Sequence, residues 1–568
     1  MKRILLSLFL LAGAFATLSA ATLEASTRQA VYPGTNIPRL TIVSGSGKTS
    51  YVSGVIDDPN DPAATVGIWF NAPTGSTLTF KSSKTSVVKV ADITAEEIES
   101  GLFAVRIKPS GVGTSKITVS LSGASDYFIE YAANKGSSQS QTTWLINIAD
   151  ASAMAPVGDG YIYIADDETN VLRLYNTALS GKSLAEIDAT SMANGKSGEE
   201  FDIECATVSE DGNTIYWLAS LTNSKKGKEK PYRNRAFSTS INGAGATATL
   251  SAGAYSEQFR NAMIAFGDAN GWNFTASASY DNEMIPKRID GFNVEGLTLK
   301  KGGGAAYVAF RAPCVPKKGV TPTSSNRQYA VMAPVSNFEN IFTAKGKSSI
   351  TPQTDDPVLF DFGGLGIRSI ERVGDYYVII AGLFEGGGTP KIYLWDGTTL
   401  ANAEPIVPGT AHLTEMNLPI ADLGDGSEGH PEALIARQEG NELVIDIITD
   451  SGSADLYDNG KENKDYSSDK SKYPWAKFRL DVFRYQLPVS NHIGMTEVEP
   501  DVCYRLAGQQ LTLTGLPSGT PVSVVTVDGK VVGTATADGA ACTLRLPDAQ
   551  AVYIVKTPHR SFKIQTPK

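Results

Sequence analysis

Short runs in which apolar and polar residues alternate recur along most of the chain, and turns that contain glycine separate them. One sequence motif repeats: a pair of polar positions, an apolar strand, a turn glycine and a second apolar strand. Its clearest copies contain Glu204, Glu295 and Glu432, and each glutamate is followed eight positions later by the turn glycine. Repetition of short paired strands predicts a radial or solenoid architecture, and we interpret it as a β-propeller.

Two weaker copies extend the repeat, with Ser152 and Arg368 at the position of the glutamate. The five key positions 152, 204, 295, 368 and 432 are separated by 52, 91, 73 and 64 residues. Since a blade takes about 40 to 50 residues, the interval of 91 residues predicts a further blade or a long insertion. We expect five to seven blades, with six favoured, and we expect residues 477–483 to close the ring beside residues 143–148.

The segments on both sides of the repeat also alternate in the manner of β-strands, so the fold class is all-β. Residues 22–135 predict an immunoglobulin-like or cadherin-like sandwich, residues 142–489 the propeller, and residues 497–568 a small C-terminal β-sandwich. The acidic loop 57–62 of the first sandwich offers oxygen ligands for calcium. A proline-braced turn with solvated acids explains the same residues, and we favour that interpretation.

The N-terminus has the pattern of an export signal. Lys2 and Arg3 precede an apolar stretch from Ile4 to Leu18, followed by small residues, so residues 1–20 predict a signal peptide. No other apolar run has the roughly 18 residues needed to span a bilayer. We therefore expect a protein that is secreted or at the cell surface, with no membrane span.

Charge and cysteine content narrow the function classes. The net charge of -10 argues against nucleic acid as a partner, because phosphate neutralisation needs clustered lysines and arginines. Of the four cysteines, Cys503 and Cys542 lie in one segment and could pair, whereas Cys205 and Cys314 predict buried small residues. Neither the cysteines nor the four scattered histidines have the spacing of a zinc site.

The repeat carries the candidate chemistry. Side chains two positions apart on a strand share a face, so Asp202 lies beside Glu204, Asn293 beside Glu295 and His430 beside Glu432. If these strands are innermost, the side chains converge on the channel and repel one another unless they bind a cation or a proton. Oxygen ligands favour calcium, and less so magnesium, over zinc. Alternatively, each glutamate binds the backbone of the neighbouring blade and locks the ring.

Arginines at strand ends add an anion-binding element. Arg235, Arg311 and Arg368 could hold an anionic substrate beside the cation through their planar forks. They could equally pair with the channel glutamates and leave no ligand site. His430 or Glu432 would serve as the catalytic base.

Several of these motifs together resemble one family. The motifs are Asp202-Ile203-Glu204, Tyr216–Ser220, Arg233–Arg235, Asn293–Leu297, Phe310–Pro313 and Gly364–Arg368. They look like the secreted bacterial propellers of domain of unknown function 3616, over roughly residues 145 to 485. The chain is more distantly similar to phytase-like and esterase-like propellers and to calcium-dependent lactonases. That resemblance implies Glu204, Asn293 and Glu295 as metal ligands, while Cys205 departs from the glycine usual in the phytase-like pattern. Asp202, which shares the strand face of Glu204, completes the candidate metal ligands.

The last strands resemble another known module. Residues 552–556, followed by 561–564, look like the C-terminal sorting domains of the type 9 secretion system in Bacteroidetes. The resemblance implies a Gram-negative bacterium, a secretion machinery as partner, and cell-surface attachment or release. An ordinary accessory sandwich is the alternative.

Two functions from different classes are compatible with the sequence. The first is a divalent-metal-dependent hydrolase of a small anionic ester, of the phosphoester or lactone class. The second is a non-enzymatic cell-surface propeller that binds a glycan or a protein. Such a binder needs exposed aromatic residues, for which Tyr232, Trp272 and Trp475 are candidates, although both tryptophans could equally lie in the core.

Overall fold

The computed structural model describes most of the chain. The described residues are 21–26, 47–56, 66–136, 141–280, 286–385, 388–420, 430–468, 470–487, 503–516, 518–527, 529–539, 541–548, 551–557 and 561–566. The predicted signal peptide and the acidic loop 57–62 lie outside them. The chain divides into two compact units, Met1–Tyr485 and Gln486–Lys568.

The first unit begins with two four-stranded sheets packed face to face, in the strand orders β1-β3-β6-β5 and β2-β8-β7-β4. The strands are β1 (Glu24–Ala25), β2 (Thr49–Val55), β3 (Val66–Asn71), β4 (Thr79–Ser82), β5 (Ile93–Glu99), β6 (Leu102–Ile107), β7 (Gly113–Ser120) and β8 (Tyr127–Asn134). Their alternation places Phe70, Phe103, Ile117 and Ile129 in the shared core. This arrangement is a β-sandwich.

The remaining strands of the first unit form the repeat region. They are β9 (Thr142–Ile146), β10 (Ala151–Pro156), β11 (Tyr161–Asp166), β12 (Thr169–Asn176), β13 (Gly181–Lys182), β14 (Ala185–Asp188), β15 (Ile203–Val208), β16 (Thr214–Ala219), β17 (Ala236–Asn242), β18 (Thr249–Ser256), β19 (Asn293–Leu299), β20 (Ala306–Ala312), β21 (Ala330–Val335), β22 (Gly346–Lys347), β23 (Val358–Phe360), β24 (Gly366–Val373), β25 (Tyr376–Gly382), β26 (Lys391–Trp395), β27 (Leu413–Met416), β28 (His430–Glu439), β29 (Glu442–Asp450) and β30 (Lys477–Gln486).

Within the described residues these strands make five sheets. Their orders are β10-β11-β12-β14, β15-β16-β17-β18-β22, β19-β20-β21-β23, β24-β25-β26-β27 and β28-β29-β30-β9-β13. The first strands, β10, β15, β19, β24 and β28, contact one another in sequence, and β28 contacts β10. The sheets are therefore the five blades of a closed β-propeller, numbered here in that order, with these strands innermost.

Blade 5 closes the ring by joining the two ends of the propeller region. Strand β9 pairs antiparallel with β30, so that Leu145 faces Phe478 and Thr143 faces Leu480. The side chain of Thr142 also donates a hydrogen bond to Asp481. The predicted closure of residues 477–483 onto residues 143–148 is confirmed.

The number of blades lies within the predicted range, at five, but it is not the favoured six. The interval of 91 residues between the key positions of blades 2 and 3 holds two helices, α1 (Phe259–Ala269) and α2 (Phe274–Ser277), instead of a blade. Their aromatic residues join the core between these blades, where Phe274 packs on Phe310 with ring centroids 5.3 Å apart. Among the described residues, no helix is long and apolar enough to cross a membrane.

The sandwich packs on blade 5 through an aromatic cluster. Trp475 is buried, and its indole N–H donates to the carbonyl of Val52 at 2.9 Å. Lys477, buried beneath it, donates to the side-chain oxygen of Asn134 at 2.8 Å. The sandwich and the propeller are therefore joined by specific hydrogen bonds as well as by apolar contact.

The second unit is a small sandwich of its own, with sheet orders β31-β32-β35 and β34-β33-β36-β37. Its strands are β31 (Cys503–Ala507), β32 (Gln510–Thr514), β33 (Pro521–Thr526), β34 (Val531–Thr536), β35 (Ala541–Arg545), β36 (Val552–Lys556) and β37 (Ser561–Gln565). Strand β32 separates Cys503 from Cys542, and Cys542 is a free, buried cysteine.

Candidate cation site in the propeller channel

Every innermost strand carries a β-bulge at its key position. The pairing register skips one residue in each blade, and the skipped residues are Ser152, Glu204, Glu295, Arg368 and Glu432. A bulge leaves its extra residue outside the ladder and re-aims the side chain. The repeat in the sequence is therefore a repeat of bulges, and it turns one side chain of each blade towards the channel or the next blade.

The channel contains a small polar cavity of about 140 Å³. Its walls are formed by Asp150, Asp167, Glu168, Asp202, Glu204, Thr222, Asn223, Lys225, Arg233, Pro286, Lys287, Asn293, Arg311, Glu432, Asp450, Ser453 and Lys464. Glu204, Glu295 and Glu432 each place one carboxylate oxygen within 4.8 Å of the others. The predicted convergence of the three repeat glutamates is thus present in the geometry.

On one side of the channel, arginines neutralise the acids. Arg311 contacts Glu295 at 2.6 Å, and Arg368 contacts Glu432 at 2.5 Å and Glu295 at 3.6 Å. All four side chains are more than nine-tenths buried. This geometry matches the alternative in which arginines pair with channel glutamates, so Glu295 and Glu432 have ionic partners, and Arg311 and Arg368 are occupied.

On the other side, acids lack such partners. Asp167, Asp202 and Glu204 bring carboxylate oxygens within 4.8 Å of one another, and so do Asp150, Asp167 and Glu168. In the described part of the chain, no lysine or arginine forms an ion pair with Asp150, Asp167 or Glu204. These three acids therefore lack a direct ion pair, whereas Asp202 has one with Arg233; Lys464 acts on Asp150, and Arg311 on Glu204, only over longer distances.

Three buried oxygen atoms on this side also lack any hydrogen-bond partner. They are Oδ2 of Asp150, Oδ1 of Asp167 and Oδ1 of Asn293. The amide of Asn293 is oriented by its N–H group, which donates to Glu295 at 2.9 Å and leaves the carbonyl oxygen free. Since buried polar atoms are normally paired, these oxygens fit a bound cation.

The pKa values reflect the same imbalance. Burial raises the pKa of Asp150 to about 8, and the nearby carboxylates of Asp450 and Asp166 add to the shift. The pKa of Glu204 is raised well above its usual range by burial, and then by Asp202, Glu295 and Glu432. Without a cation, Asp150 therefore holds a proton near neutral pH.

Hydrogen bonds from three side chains of blade 2 and its loops hold the carboxylate of Asp202 in place. Its Oδ2 accepts hydrogen bonds from Arg233 at 2.7 Å, from Thr222 at 3.2 Å and from Ser220. Arg233 also pairs with Glu200. These donors fix the orientation of the Asp202 carboxylate, as expected for a metal ligand with supporting hydrogen bonds.

A helical insertion supports the loop that carries Thr222 and Asn223 into the cavity. Arg260, at the start of α1, is 3 % exposed and donates to Asn223 Oδ1 at 2.8 Å and to the carbonyls of Ala278, at 2.6 Å, and Leu221. Leu221 has a φ of 59°, which is unfavourable for a branched side chain. Arg260 therefore stabilises a strained turn at the channel wall.

Arg235, predicted to bind an anion, and His430, predicted as a catalytic base, do not line the channel cavity. Arg235 does not line the cavity, because it pairs with Glu257 on blade 2; Arg233, two residues earlier, takes the place at the channel. Burial and the charge of Arg368 lower the pKa of His430, which is half-buried and is not among the lining residues. The catalytic role of His430 and Glu432 stays a prediction.

Two of the three aromatic residues proposed for a binding face are in the core. Trp272 is fully buried beside α1, and Trp475 is buried at the sandwich contact. Tyr232 is half-buried. The sequence analysis also missed Asp167, which directly follows the second strand of blade 1, and Asp450, which ends the second strand of blade 5. The acid run Asp166–Glu168 at the end of an apolar strand was the available signal.

No protein-family model and no curated protein matches the chain. Among solved structures, it is similar to PorZ, a surface component of the type-IX secretion system of Porphyromonas gingivalis, at 10 % identity and a TM-score of 0.25, over 93 % of this chain and 71 % of that one. It is similar to virginiamycin B lyase from Staphylococcus aureus at 9 % identity and a TM-score of 0.23, over 75 % and 99 %. It is also similar to glutaminyl cyclase from Myxococcus xanthus, at 9 % identity and a TM-score of 0.29, over 62 % of this chain and 97 % of that one.

These likenesses are too distant to carry an argument about function, and the propeller assignment follows from the strand order and the ring of inner strands. The resemblance to domain of unknown function 3616 stays a prediction, because no family model matches.

The raised pKa values predict how stability depends on pH. A carboxyl whose pKa is higher in the folded state stabilises the fold below its unfolded pKa, and that stability is lost as pH rises through the folded value. For Asp150 the loss extends up to about pH 8. In a chelator, we expect the melting temperature to fall as pH rises from about 4 to about 8, and saturating calcium should abolish the fall. Parallel curves with and without calcium would contradict the site.

Gly452 offers a selective perturbation of Asp150. A Cβ atom at position 452 would lie 1.7 Å from Oδ1 of Asp150. Because the clash is with the end of a side chain, Gly452→Ala should displace the carboxylate and keep the backbone. We expect calcium affinity, measured by isothermal titration, to fall about tenfold with little change in the calcium-free melting temperature. Gly533→Ala in the C-terminal unit is the control, and unchanged affinity in Gly452→Ala would argue against Asp150.

Proposed function

We propose that the propeller is a divalent-cation-dependent hydrolase of small anionic esters, of the phosphoester or lactone class. The observation that carries the proposal is the set of buried oxygen atoms without hydrogen-bond partners, beside the carboxylates of Asp150, Asp167 and Glu204, which form no ion pair among the described residues. A cluster of buried carboxylates destabilises a folded protein through repulsion and desolvation, so such clusters are found mainly at functional sites. A bound cation would offset both costs.

The ligand set that fits best is Asp167, Asp202, Glu204 and Asn293, with Asp150 beside it. Glu295 leaves the predicted set because it pairs with two arginines, Arg311 at 2.6 Å and Arg368 at 3.6 Å, one at each carboxylate oxygen. Asp202 stays in the set because the hydrogen bonds from Arg233, Thr222 and Ser220 all fall on Oδ2 and leave Oδ1 for a cation. The donors are all oxygen atoms of carboxylates and an amide, which suits calcium first and magnesium second. Calcium takes six to eight oxygen ligands, so about half of its shell would remain for water and substrate.

A bound divalent cation would polarise the ester oxygen and lower the pKa of water. The side chains of this chain supply the other functions. Lys225, Lys287 and Lys464 line the cavity and attract the anionic group of the substrate. With a cation bound, the carboxylate of Asp150 would be deprotonated, and its Oδ2, which has no hydrogen-bond partner, would accept a proton from water and return it to the leaving group.

The alternative of a glycan-binding or protein-binding propeller has weaker support. Its exposed aromatic face would lose Trp272 and Trp475, which are both buried. A small cavity of about 140 Å³ lined by charged residues also suits a small anion and a metal better than a protein surface.

The test combines calcium binding with turnover. We expect calcium to raise the melting temperature of the wild type by several degrees, since a ligand at 100 times its dissociation constant adds about 2.7 kcal/mol of stability. The double variant Asp167→Asn plus Glu204→Gln should lose both this shift and any hydrolysis of p-nitrophenyl phosphate or a γ-lactone. The control is Glu415→Gln, which removes an exposed acid of blade 4.

The possible outcomes separate the parts of this proposal. If calcium stabilises the double variant as much as the wild type, the cation site is wrong. If calcium binds but no ester in the screen is cleaved, the hydrolase is wrong and the site remains.

We further propose that the protein is exported by a Gram-negative bacterium and that the C-terminal unit directs it across the outer membrane to the cell surface. The support is the sequence pattern of residues 552–564 and the separate, compact sandwich that those residues complete. The partner would be the type 9 secretion machinery.

Deletion of residues 488–568 tests the export role. In a host with this machinery, we expect the truncated protein to remain in the periplasm, whereas the full chain reaches the surface, measured by protease accessibility on intact cells. Surface delivery of the truncated protein would leave an accessory sandwich as the explanation.

A further inference from the structure

A second cavity of about 400 Å³ shares a wall with the channel cavity. Its lining residues are Lys287, Arg288, Ile289, Asp290, Pro322, Thr323, Ser324, Arg327, Phe384 and Glu385. Lys287 lines both cavities. A molecule too long for the channel cavity therefore has a neighbouring space to enter, with Lys287 at the junction.

The charges of this second cavity favour an anion. Arg288 is neutralised by Asp290 through two hydrogen bonds, at 2.9 and 3.0 Å. Arg327 donates one N–H group to the carbonyl of Cys314 at 3.0 Å. Among the described residues, neither Arg327 nor Lys287 forms an ion pair with an acid. Glu385, the other acid of the wall, is exposed. Two cations are thus available to a ligand.

The remaining walls are partly apolar and partly hydroxylated. Phe384 is half-buried and offers an aromatic face, whereas Thr323 and Ser324 offer hydroxyl groups. Asn326 orders this loop, since its side chain accepts from the N–H of Thr323 at 2.7 Å and donates to the carbonyl of Thr321 at 3.0 Å. The cavity therefore combines a fixed polar loop, an aromatic wall and free cations.

We propose that the second cavity is a substrate subsite that binds a sugar ring bearing an acidic group, either a carboxylate or a sulfate. The proposal rests on the hydrolase function proposed above, because the ester to be cleaved would lie in the channel cavity while the ring occupies the subsite. Arg327 binds the acidic group through its planar fork. Phe384 covers the C–H face of the ring, and Thr323 and Ser324 bind its hydroxyls.

The volumes agree with this division. The channel cavity of about 140 Å³ has room for a cation with a small group and not for a ring in addition. The second cavity of about 400 Å³ is within the range of ligand sites, about 300 to 1,000 Å³.

Isothermal titration with three probes tests the subsite. The probes are glucuronate, glucose 6-sulfate and glucose, titrated into the full chain with calcium present. We expect at least one acidic sugar to bind and glucose to bind about tenfold more weakly or not at all. Arg327→Gln should weaken the acidic probe about tenfold, and Arg327→Lys should retain part of the affinity because it keeps the charge without the fork. Arg484→Gln, at an exposed position of β30, is the matched control.

Each outcome decides the proposal. Equal binding of glucose and the acidic sugars, no binding of any probe, or binding that Arg327→Gln leaves unchanged would overturn the subsite. The carboxylate and sulfate probes show which acidic group is preferred. If the wild type shows no calcium-dependent stabilisation but binds an acidic sugar through Arg327, the binding site stands and the proposed hydrolase fails. A calcium-induced shift retained in Arg327→Gln shows that this variant is folded.

Discussion

One backbone irregularity, repeated at the same depth of every blade, determines what the channel contains. The bulge in each inner strand removes one residue from the ladder, and four of the five residues so displaced are charged. Ser152, the fifth, instead donates a 2.5 Å hydrogen bond to the carbonyl of Ile203 in the next blade. A regular ladder would have sent alternate side chains into the blade interiors, where unpaired charges are very costly. The bulge therefore allows an apolar propeller core and a charged axis to coexist.

The axis is electrostatically divided. Blades 3, 4 and 5 supply Glu295, Arg368 and Glu432, which with Arg311 form a mutually compensated network. Two glycines of blade 4 make room for it: a Cβ at Gly366 would lie 1.9 Å from the carbonyl oxygen of Arg311, and one at Gly382 would lie 3.2 Å from Arg368. Blades 1 and 2 supply Asp150, Asp167 and Glu204, which form no ion pair with a lysine or arginine in the part of the chain that the structure describes. The compensated half is thus a structural element, and the other half is where binding chemistry is concentrated.

The sequence predicts features that depend on neighbouring residues better than contacts between residues far apart in the chain. The convergence of Glu204, Glu295 and Glu432 was predictable because the two-residue period of a strand and the recurrence of the motif can both be read from neighbouring residues. Arg368 pairs with Glu432 across two neighbouring blades, which no local pattern reveals. The sequence therefore offered this pairing only as the alternative to anion binding by Arg368. Arg235 lies away from the cavity because a 3₁₀ turn at Pro231–Asn234 breaks the strand period, and Arg233 contacts Asp202 instead. The favoured blade count failed because α1 and α2 occupy a blade-sized interval.

The closure of blade 5 constrains the order of folding. Strand β9 can complete its sheet only when β30 is available, more than 330 residues later in the chain. Contacts of such sequence separation form slowly, because a long loop must be closed before they are gained. As the chain is synthesised from its N-terminus, blades 1 to 4 can pair locally while β9 waits with an unpaired edge, which is a template for association with other chains. The protein therefore passes through an open ring during its biogenesis, and holding that edge apart is a task for the cellular machinery that handles nascent or exported chains.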